Sequence, residues 1–192
     1  MSVEDQQLIE QFLQGDADAF DQLILRYQDR LFNTLLRMFN SEQDAQDAVQ
    51  EAFVQVFQKL HTFQGKSQFY SWLCRIAINN VLTQKRKRKL ATTSLETAKE
   101  KAGIEPDDHN RESHPSHQLE TSENQSAIQR ALNELADDQR TVIVLKEIEG
   151  LKYEEIAEII DCPVGTVRSR IHRARSELRQ KLQFLWDDNL QQ

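Results

Sequence analysis

Hydrophobic residues recur every three to four positions in two blocks of the chain, which a long polar stretch separates. In the first block this spacing predicts four amphipathic helices. Their inward positions are Leu8, Ile9, Phe12 and Leu13 in the first, Phe20, Leu23, Ile24, Tyr27, Leu31, Leu35 and Met38 in the second, Ala45, Ala48, Val49, Ala52, Phe53, Val56, Phe57 and Leu60 in the third, and Trp72, Leu73, Ile76 and Ala77 in the fourth. With five glycines, three prolines and few hairpin signals, the chain is predicted to be all-α.

Polar residues mark where these helices begin. Ser2 with Asp5 forms a predicted capping box at the start of the first helix. Ser41 is the predicted start of the third. Phe63–Gln68 is predicted to be a loop, and Ser67 within it is the predicted cap of the fourth helix, which runs into a basic tail.

The polar stretch covers residues 91–124 and loses all helical periodicity. It contains Pro106, Pro115 and the acidic run Glu105–Asp108. Such a segment buries too little apolar surface to offset its chain entropy. Periodicity then returns at Ile128, Leu132, Leu135, Val142, Ile143, Leu145 and Ile148. We therefore expect two small helical domains, 1–90 and 125–186, joined by a flexible acidic linker.

The segment Tyr153–Arg175 predicts a helix-turn-helix. Apolar residues at helical spacing give a short first helix, with Ile156, Ala157 and Ile160, and the inward stripe of a second, with Val167, Ile171, Ala174 and Leu178. Between them Asp161–Pro163 breaks the helix, because proline is excluded from a helix interior but suits a helix start. The alternative is a solvated basic helix, which would need no tight turn before it.

The outward face of the second helix carries residues that suit DNA recognition. At about 100° per residue, Ser169, His172 and Arg173 oppose the buried stripe, with Arg168 beside them. Arginine and serine at such positions read base edges in the major groove, while arginines on the flanks meet phosphates. The predicted duplex contacts are Thr166, Arg168, Ser169, Arg170, His172, Arg173 and Arg175.

The formal net charge of −7 is unusual for a DNA-binding protein, but the charge is unevenly distributed. Arg75–Lys89 contains no acid, and Arg168–Lys181 contains only Glu177. Two basic islands in an acidic background predict two separate contacts with nucleic acid. For the first island, a plain solvated helix end is the alternative.

The third helix has an acidic face opposite its apolar stripe. Asp47, Glu51 and Val54 lie on this face, with Asp44 at its margin. Acidic helix faces are commonly just solvated. A valine among carboxylates instead favours a docking surface for a basic partner.

Composition argues against several other classes of protein. No apolar run approaches the roughly 20 residues of a membrane span, and the N-terminus lacks the pattern of a signal peptide, so we expect a cytoplasmic protein. Cys74 and Cys162 lie far apart and form no metal-ligand spacing, and the histidines His109, His114 and His117 form no catalytic triad. We expect reduced thiols, no metal, no cofactor and no enzymatic activity.

Two long motifs, in this order, resemble one protein family. A DAxxAVQEAFVQVFxxL helix precedes FQGKSQFYSWLCRIAINN, and the polar linker precedes YEEIAEIIDCPVGTVRSRIHRAR. The arrangement is similar to that of the extracytoplasmic-function sigma factors, the promoter-recognition subunits of bacterial RNA polymerase. The block Cys162–Ile171 resembles the sigma-E type in particular. The likeness covers Val3–Lys89 and Asn124–Leu185.

The resemblance implies that the helix Asp44–Leu60 docks on the clamp coiled coil of the polymerase's largest subunit. The predicted polymerase contacts are Asp44, Asp47, Gln50, Glu51 and Val54. Phe53 belongs to the same motif, but it lies on the apolar stripe and is expected mainly in the core. The family further implies core RNA polymerase, promoter DNA and an anti-sigma factor as partners, with no membrane insertion and no homo-oligomer.

The resemblance also implies that Phe63–Gln68 receives a flipped base from the −10 element's non-template strand. Aromatic side chains beside a basic run suit such a melted strand, although for Phe69 and Trp72 ordinary core packing is the alternative. The predicted −10 contacts are Phe63, Lys66, Ser67, Phe69, Tyr70, Trp72, Arg75, Asn80, Arg86 and Arg88. The helix-turn-helix would read the −35 element as duplex.

One position departs from the resembled pattern. His172 stands where the sigma-E type often carries an aromatic residue, so the promoter consensus is not carried over. A self-standing helix-turn-helix regulator is the alternative function. Such proteins usually dimerise, yet no heptad-patterned dimerisation helix is visible in the sequence.

Overall fold

The computed structural model describes residues 2–39, 41–81, 83 and 119–183, with side chains in the last range from residue 124 onward. Within these ranges the chain is helical and has no strand, so the predicted all-α class is confirmed. The helices are α1 (Val3–Leu13), α2 (Ala17–Phe39), α3 (Glu42–Lys59), α4 (69–81), α5 (Leu119–Asn133), α6 (Asp137–Ile143), α7 (Tyr153–Ile160) and α8 (Val164–Leu182). A 3₁₀ turn, Leu60–Thr62, follows α3, and a π turn, Val144–Ile148, follows α6. No helix of this part of the chain is both long and apolar enough to cross a membrane.

Two predicted helix starts are confirmed by their caps. The Ser2 hydroxyl accepts a hydrogen bond from the Asp5 N–H (3.0 Å), and the Ser41 hydroxyl accepts one from the N–H three residues later (3.2 Å). The second half of the predicted capping box is wrong. The Asp5 carboxylate accepts hydrogen bonds from Arg26 (2.9 Å) and Tyr27 (2.8 Å) of α2 instead, so it ties α1 to α2.

Two other predicted boundaries are displaced. The helix α4 begins at residue 69, and the Trp72 N–H donates to the Gln68 carbonyl (3.2 Å). Ser67 therefore lies one residue too early to be its cap. The helix α5 begins at Leu119, inside the segment predicted as linker. After Leu119 its first turns contain only polar residues and form no apolar stripe, so periodicity gave no sign of this part of the helix.

Some residues assigned to buried stripes are exposed. They are Leu13 (51% exposed), Phe57 (53%), Ile128 (43%) and Ile148 (44%). The ring of Phe57 still contacts those of Phe12 and Phe20, each at 5.2 Å between centroids, but it lies at the rim of the core. Helical spacing predicts the direction of a side chain, but the neighbouring elements decide how far it is covered.

The first half of the chain (α1–α4) and the second half (α5–α8) pack directly against each other. The helix α2 contacts α5, α6 and the π turn, and buried residues from both halves belong to one hydrophobic core cluster. The sequence alone had left the relative placement of the halves open. The residues predicted as the linker up to 118 lie outside the described ranges, so the division into two domains and a tether stays a prediction.

Arg140 of α6 joins the two halves. Its side chain is buried, with 8% of the residue exposed. Its guanidinium donates to the carbonyls of Leu132 (2.8 Å), Asn133 (2.7 Å) and Leu135 (2.9 Å). Across the junction it also donates to the Met38 carbonyl (3.0 Å) near the end of α2. Carbonyls at helix ends lack partners within their own helix, and a single arginine supplies donors for several of them here.

Candidate nucleic-acid interface

The predicted helix-turn-helix is confirmed by the backbone of α7 and α8. After α7 the chain turns at Asp161, which adopts the left-handed conformation (φ 52°). The Cys162 N–H then donates to the Ala157 carbonyl (3.1 Å), and Pro163 directly precedes α8. Proline has no N–H to leave unpaired and fixes φ near the helical value, so it suits this position.

The helix α8 buries one stripe and exposes the other. Val167 (0% exposed), Ile171 (1%) and Ala174 (0%) are buried, and α8 packs mainly on α6. Arg168, Ser169, His172 and Arg173 are exposed. The predicted orientation of the face is therefore confirmed, and within it the Ser169 hydroxyl donates to the Thr166 carbonyl of its own helix (2.9 Å).

The flanking arginines of α8 pair with carboxylates of the same half. The Arg170 Nε lies 2.9 Å from Asp138 Oδ2 of α6, and the Arg175 Nη2 lies 2.6 Å from Glu147 Oε1 of the π turn. The hydrogen bond with Glu147 is the largest cause of a raised pKa at Arg175. Sequence reasoning predicted both arginines to meet phosphates, but it missed their protein partners.

The surface predicted to contact the −10 element is only partly exposed. Phe69 (0% exposed) and Tyr70 (5%) are buried in the core, so their predicted contact with a melted strand is wrong for this arrangement, and the alternative of core packing holds for Phe69. Phe63 and Trp72 are half-buried, with ring centroids 5.1 Å apart. Exposed and half-buried groups of this surface are Lys66, Ser67 and Arg75.

A polar network beneath this surface joins the two halves. Glu149, with a side chain only 5% exposed, accepts hydrogen bonds from Arg30 (2.9 Å) and from the Thr34 hydroxyl. Thr34 and Tyr70 also share a hydrogen bond (2.9 Å), and the Arg30 guanidinium lies 3.9 Å from the centre of the Tyr70 ring. Burial raises the pKa of Tyr70 above its ordinary value, and it raises that of the Cys74 thiol to about 12.

The helix α7 lies against α4 at the same junction. The Ser71 hydroxyl donates to Glu155 Oε1 (3.1 Å). Beside this contact a shallow cleft of about 510 Å³ lies between Arg75 of α4 and the acidic residues Glu154 and Glu158 of α7 and Asp161 of the following turn. Arg75, which is predicted to contact DNA, thus faces acidic residues of the second half.

Three predicted −10 contacts remain. Asn80 is half-buried, and its side-chain amide nitrogen is buried without a hydrogen-bond partner among the described residues. Arg86 and Arg88 lie outside the described residues, as do the three histidines of the linker. In the part of the chain with described side chains, no cluster of histidine, cysteine and acidic residues suits a metal ion.

The acidic face of α3 is open. Asp44, Asp47 and Gln50 are exposed, Glu51 is half-buried, and Val54 is 57% exposed. Phe53 points inward (6% exposed), as its place on the apolar stripe predicted.

Beside this face a groove of about 650 Å³ runs between α2 and α3. Its apolar lining includes Phe20, Ile24, Val49, Val54 and Phe57. The combination of exposed apolar and acidic groups differs from an ordinary solvated helix face, which carries no contiguous apolar surface.

Two parts of the chain match known family profiles. Residues 23–91 match Sigma-70 region 2, and residues 125–178 match Sigma-70 region 4. The second match contains the helix-turn-helix, and the first contains α3, the loop and α4.

Curated relatives align with nearly the whole chain. The RNA polymerase sigma-H factor of Pseudomonas aeruginosa is 39% identical over 184 residues, which cover 95% of each chain. The ECF RNA polymerase sigma-E factor of Haemophilus influenzae is 41% identical over 185 residues, covering 94% of this chain and 96% of the relative. Among solved structures, the sigma factor RpoE in complex with the anti-sigma factor NepR from Bartonella quintana is similar, with 29% identity, a TM-score of 0.64, and coverage of 85% of this chain and 96% of that chain.

Proposed function

Since the chain belongs to the extracytoplasmic-function family of RNA polymerase sigma factors, we propose that it binds core polymerase and reads promoter DNA through two separate surfaces. In this proposal residues 1–90 contact the polymerase and the melted −10 strand, residues 91–118 form the tether, and the region from α5 to residue 186 reads the −35 duplex. The polymerase performs the chemistry in the cytoplasm, and this chain contributes position and affinity but no catalytic group.

The outward face of α8 carries the proposal. Arg168, Ser169, His172 and Arg173 are exposed on a helix whose opposite stripe is buried. Such a helix enters the major groove, where arginine pairs bidentately with guanine and serine reads either pair. Phosphates would replace Asp138 and Glu147 as partners of the flanking arginines, because the same guanidinium groups bind either anion.

The surface near the loop is proposed to hold the melted −10 strand. Phe63 and Trp72 offer partly exposed aromatic faces for base stacking, and Lys66 and Arg75 offer charge for the backbone. Phe69 supports this surface from below through its ring contact with Phe63 (5.8 Å between centroids), and Tyr70 packs behind it on Tyr27 (5.7 Å). They act as its packing and do not touch DNA.

Binding both promoter elements requires the two halves to separate. The −10 and −35 positions are about 25 base pairs apart, or roughly 85 Å along the duplex at about 3.4 Å per base pair. A compact unit of the described size has a radius of gyration of about 15 Å. The packed arrangement therefore corresponds to the chain before it reaches the promoter. The tether then joins two weak contacts into one avid one.

The helix α3 is the proposed polymerase contact. Asp44, Asp47, Gln50, Glu51 and Val54 form one face, and the apolar groove between α2 and α3 adjoins it. An anti-sigma factor is a further proposed partner, supported by the resemblance to RpoE, whose structure was solved with the anti-sigma factor NepR. We expect the chain to form no homo-oligomer, either free or bound to such a factor.

Run-off transcription tests the proposed function. Purified core polymerase is incubated with genomic fragments, with and without the full chain, and transcript starts are mapped. We expect discrete new starts only when the chain is added. Arg173→Ala should reduce them strongly, whereas Arg179→Ala, an exposed arginine in the last turn of α8, should change them little because it lies beyond the reading face.

The opposite results identify the alternative. If the chain adds no new starts but binds specific duplex DNA tightly by itself, it is a self-standing regulator and the sigma role is wrong. If Arg173→Ala and Arg179→Ala behave alike, α8 does not read the promoter in the way proposed here.

A further inference from the structure

Tyr153 lies where α7 and the outward face of α8 meet. It is the first residue of α7, half-buried, and it packs partly on the core. Its ring is not fully enclosed, so one part of it borders the basic surface. The residue is outside the set predicted to contact DNA, because aromatic residues at a helix start have no distinctive spacing.

Two cations lie beside this ring. The Lys146 Nζ is 5.1 Å from its centre, and the Arg168 Cζ is 6.0 Å from it. A cation near an aromatic face is attracted by the ring quadrupole at such distances. Lys146 is itself held in place, because its ammonium donates to the Leu151 carbonyl (3.1 Å).

The same flank of α8 extends to Arg175, seven residues beyond Arg168. Two helical turns separate these residues, so they share one side of the helix, with His172 between them. Glu147 is the main cause of the raised pKa of Arg175, and Tyr153 adds to it. The tyrosine is therefore close to both arginines that border His172.

An arginine reads a base well only when its guanidinium plane is held in position. The side chain has many rotamers, and an unsupported arginine loses more of this freedom on binding. We infer that Tyr153 is a positioning residue of the DNA-reading surface, whose ring holds Arg168 ready for a base edge. This inference rests on the proposed function of α8.

Two substitutions of Tyr153 distinguish the effect of its aromatic face from the effect of its side-chain volume. Tyr153→Phe keeps the aromatic face and should bind a −35 duplex with nearly unchanged affinity. Tyr153→Leu keeps an apolar group for the core but removes the face, and it should weaken specific binding by about two- to fivefold. Binding to a scrambled duplex should not change, because the number of charges facing the phosphates is the same.

A double-mutant cycle shows whether Tyr153 acts through Arg168. The full chain is titrated against a fluorescent duplex that carries the upstream element of a mapped start site, and anisotropy is recorded for Tyr153→Leu, Arg168→Ala and both together. Once Arg168 is absent, the tyrosine substitution should have no further effect. Phe32→Leu, at a half-buried aromatic of α2, is the matched control for lost packing.

The outcomes distinguish this inference from the function on which it rests. Arg168→Ala should weaken binding by about fivefold or more; if it does not, the proposed reading face is wrong. If Arg168→Ala weakens binding but Tyr153→Leu matches wild type or the Phe32→Leu control, the reading face stands and the role of Tyr153 is overturned. Additive losses in the double mutant would likewise overturn it.

Discussion

The two surfaces proposed to contact promoter DNA differ in their exposure. On α8 the four outward residues Arg168, Ser169, His172 and Arg173 are exposed, while the flanking arginines are engaged by carboxylates. Around the loop and α4, two of the aromatic residues expected at the DNA are buried in the core, and α7 lies against the helix. The duplex-reading surface is ready in the packed chain, whereas the strand-reading surface is partly covered.

This difference follows from the chemistry of each target. A duplex offers its base edges and phosphates at once, so a preformed rigid helix suits it. A melted strand appears only after the duplex opens, and exposed aromatic faces would meanwhile attract other partners. Of these groups, Tyr70 lies at the junction between the halves, where Thr34 links it by hydrogen bonds to Glu149.

Removing Arg140 should have the largest effect, because its guanidinium ties the ends of α5 and α2 to α6. Arg140→Ala leaves several buried carbonyls without donors, and we expect the free energy of unfolding to fall by about 3–5 kcal/mol. Urea denaturation followed by circular dichroism measures this loss. Arg130→Ala, at an exposed arginine of α5, is the control, and equal stability of the two variants would contradict the role of Arg140.

Weakening the polar junction should expose the covered surface without unfolding the chain. Glu149→Gln removes the charge that pairs with Arg30, at a cost of roughly 1–3 kcal/mol. Dyes are attached at Lys66→Cys and Arg179→Cys in a Cys162→Ala background, and the distance between them is measured by resonance energy transfer. We expect this distance to be larger in Glu149→Gln than in the wild type. The exposed Glu177→Gln of α8 is the control. The same transfer efficiency in both variants would show that Glu149 does not hold the halves together.

Alkaline pH should destabilise the first half through its buried neutral groups. Burial raises the pKa of Tyr27 to about 12 and that of Cys74 to about 12, against about 10 and about 8.5 in an unfolded chain. Each raised pKa stabilises the fold fully below the unfolded value, and that contribution is lost as the pH rises through the folded value.

The free energy of unfolding should therefore decline between about pH 9 and about pH 12. Urea denaturation at several pH values measures this decline. The double variant Tyr27→Phe with Cys74→Ala should have a flatter profile than the wild type. An unchanged slope would mean that other groups cause the loss.

The smallest expected effect concerns the two cysteines, one from each half. Cys74 is fully buried, whereas Cys162 is half-buried in the turn before α8. Since a buried neutral thiol is a poor nucleophile, a thiol reagent at neutral pH should modify Cys162 quickly and Cys74 only after urea is added. Cys162→Ala should then leave almost no rapid reaction. Rapid modification of both thiols in the folded wild type would show that the first half opens readily.

Much of the architecture could be predicted from the sequence. The buried stripes of α2 and α8 follow helical spacing, and a proline before Val164 indicated the helix-turn-helix. Periodicity succeeds here because each of these helices buries one continuous face against its neighbours.

The junction between the halves could not be predicted in this way. Glu149 lies more than 100 residues from Arg30 and Thr34 in the sequence, and no spacing rule connects it to them. For a related reason the burial of Tyr70 was missed, and core packing of Phe69 was predicted only as an alternative. An aromatic residue beside a basic run suits both a core and a nucleic-acid surface, and only the elements packed around it decide between them.

The π turn Val144–Ile148 constrains the number of residues between α6 and α7. Here the Glu149 N–H donates to the carbonyl of Val144 (3.2 Å), five residues earlier, so the turn holds one residue more than an α-helical turn. Deleting a single residue would restore ordinary helix and rotate everything that follows by about 100°. Glu147 and Glu149 then could not meet Arg175 and Arg30 together. The register of this one turn therefore links the DNA-reading helix to the rest of the molecule.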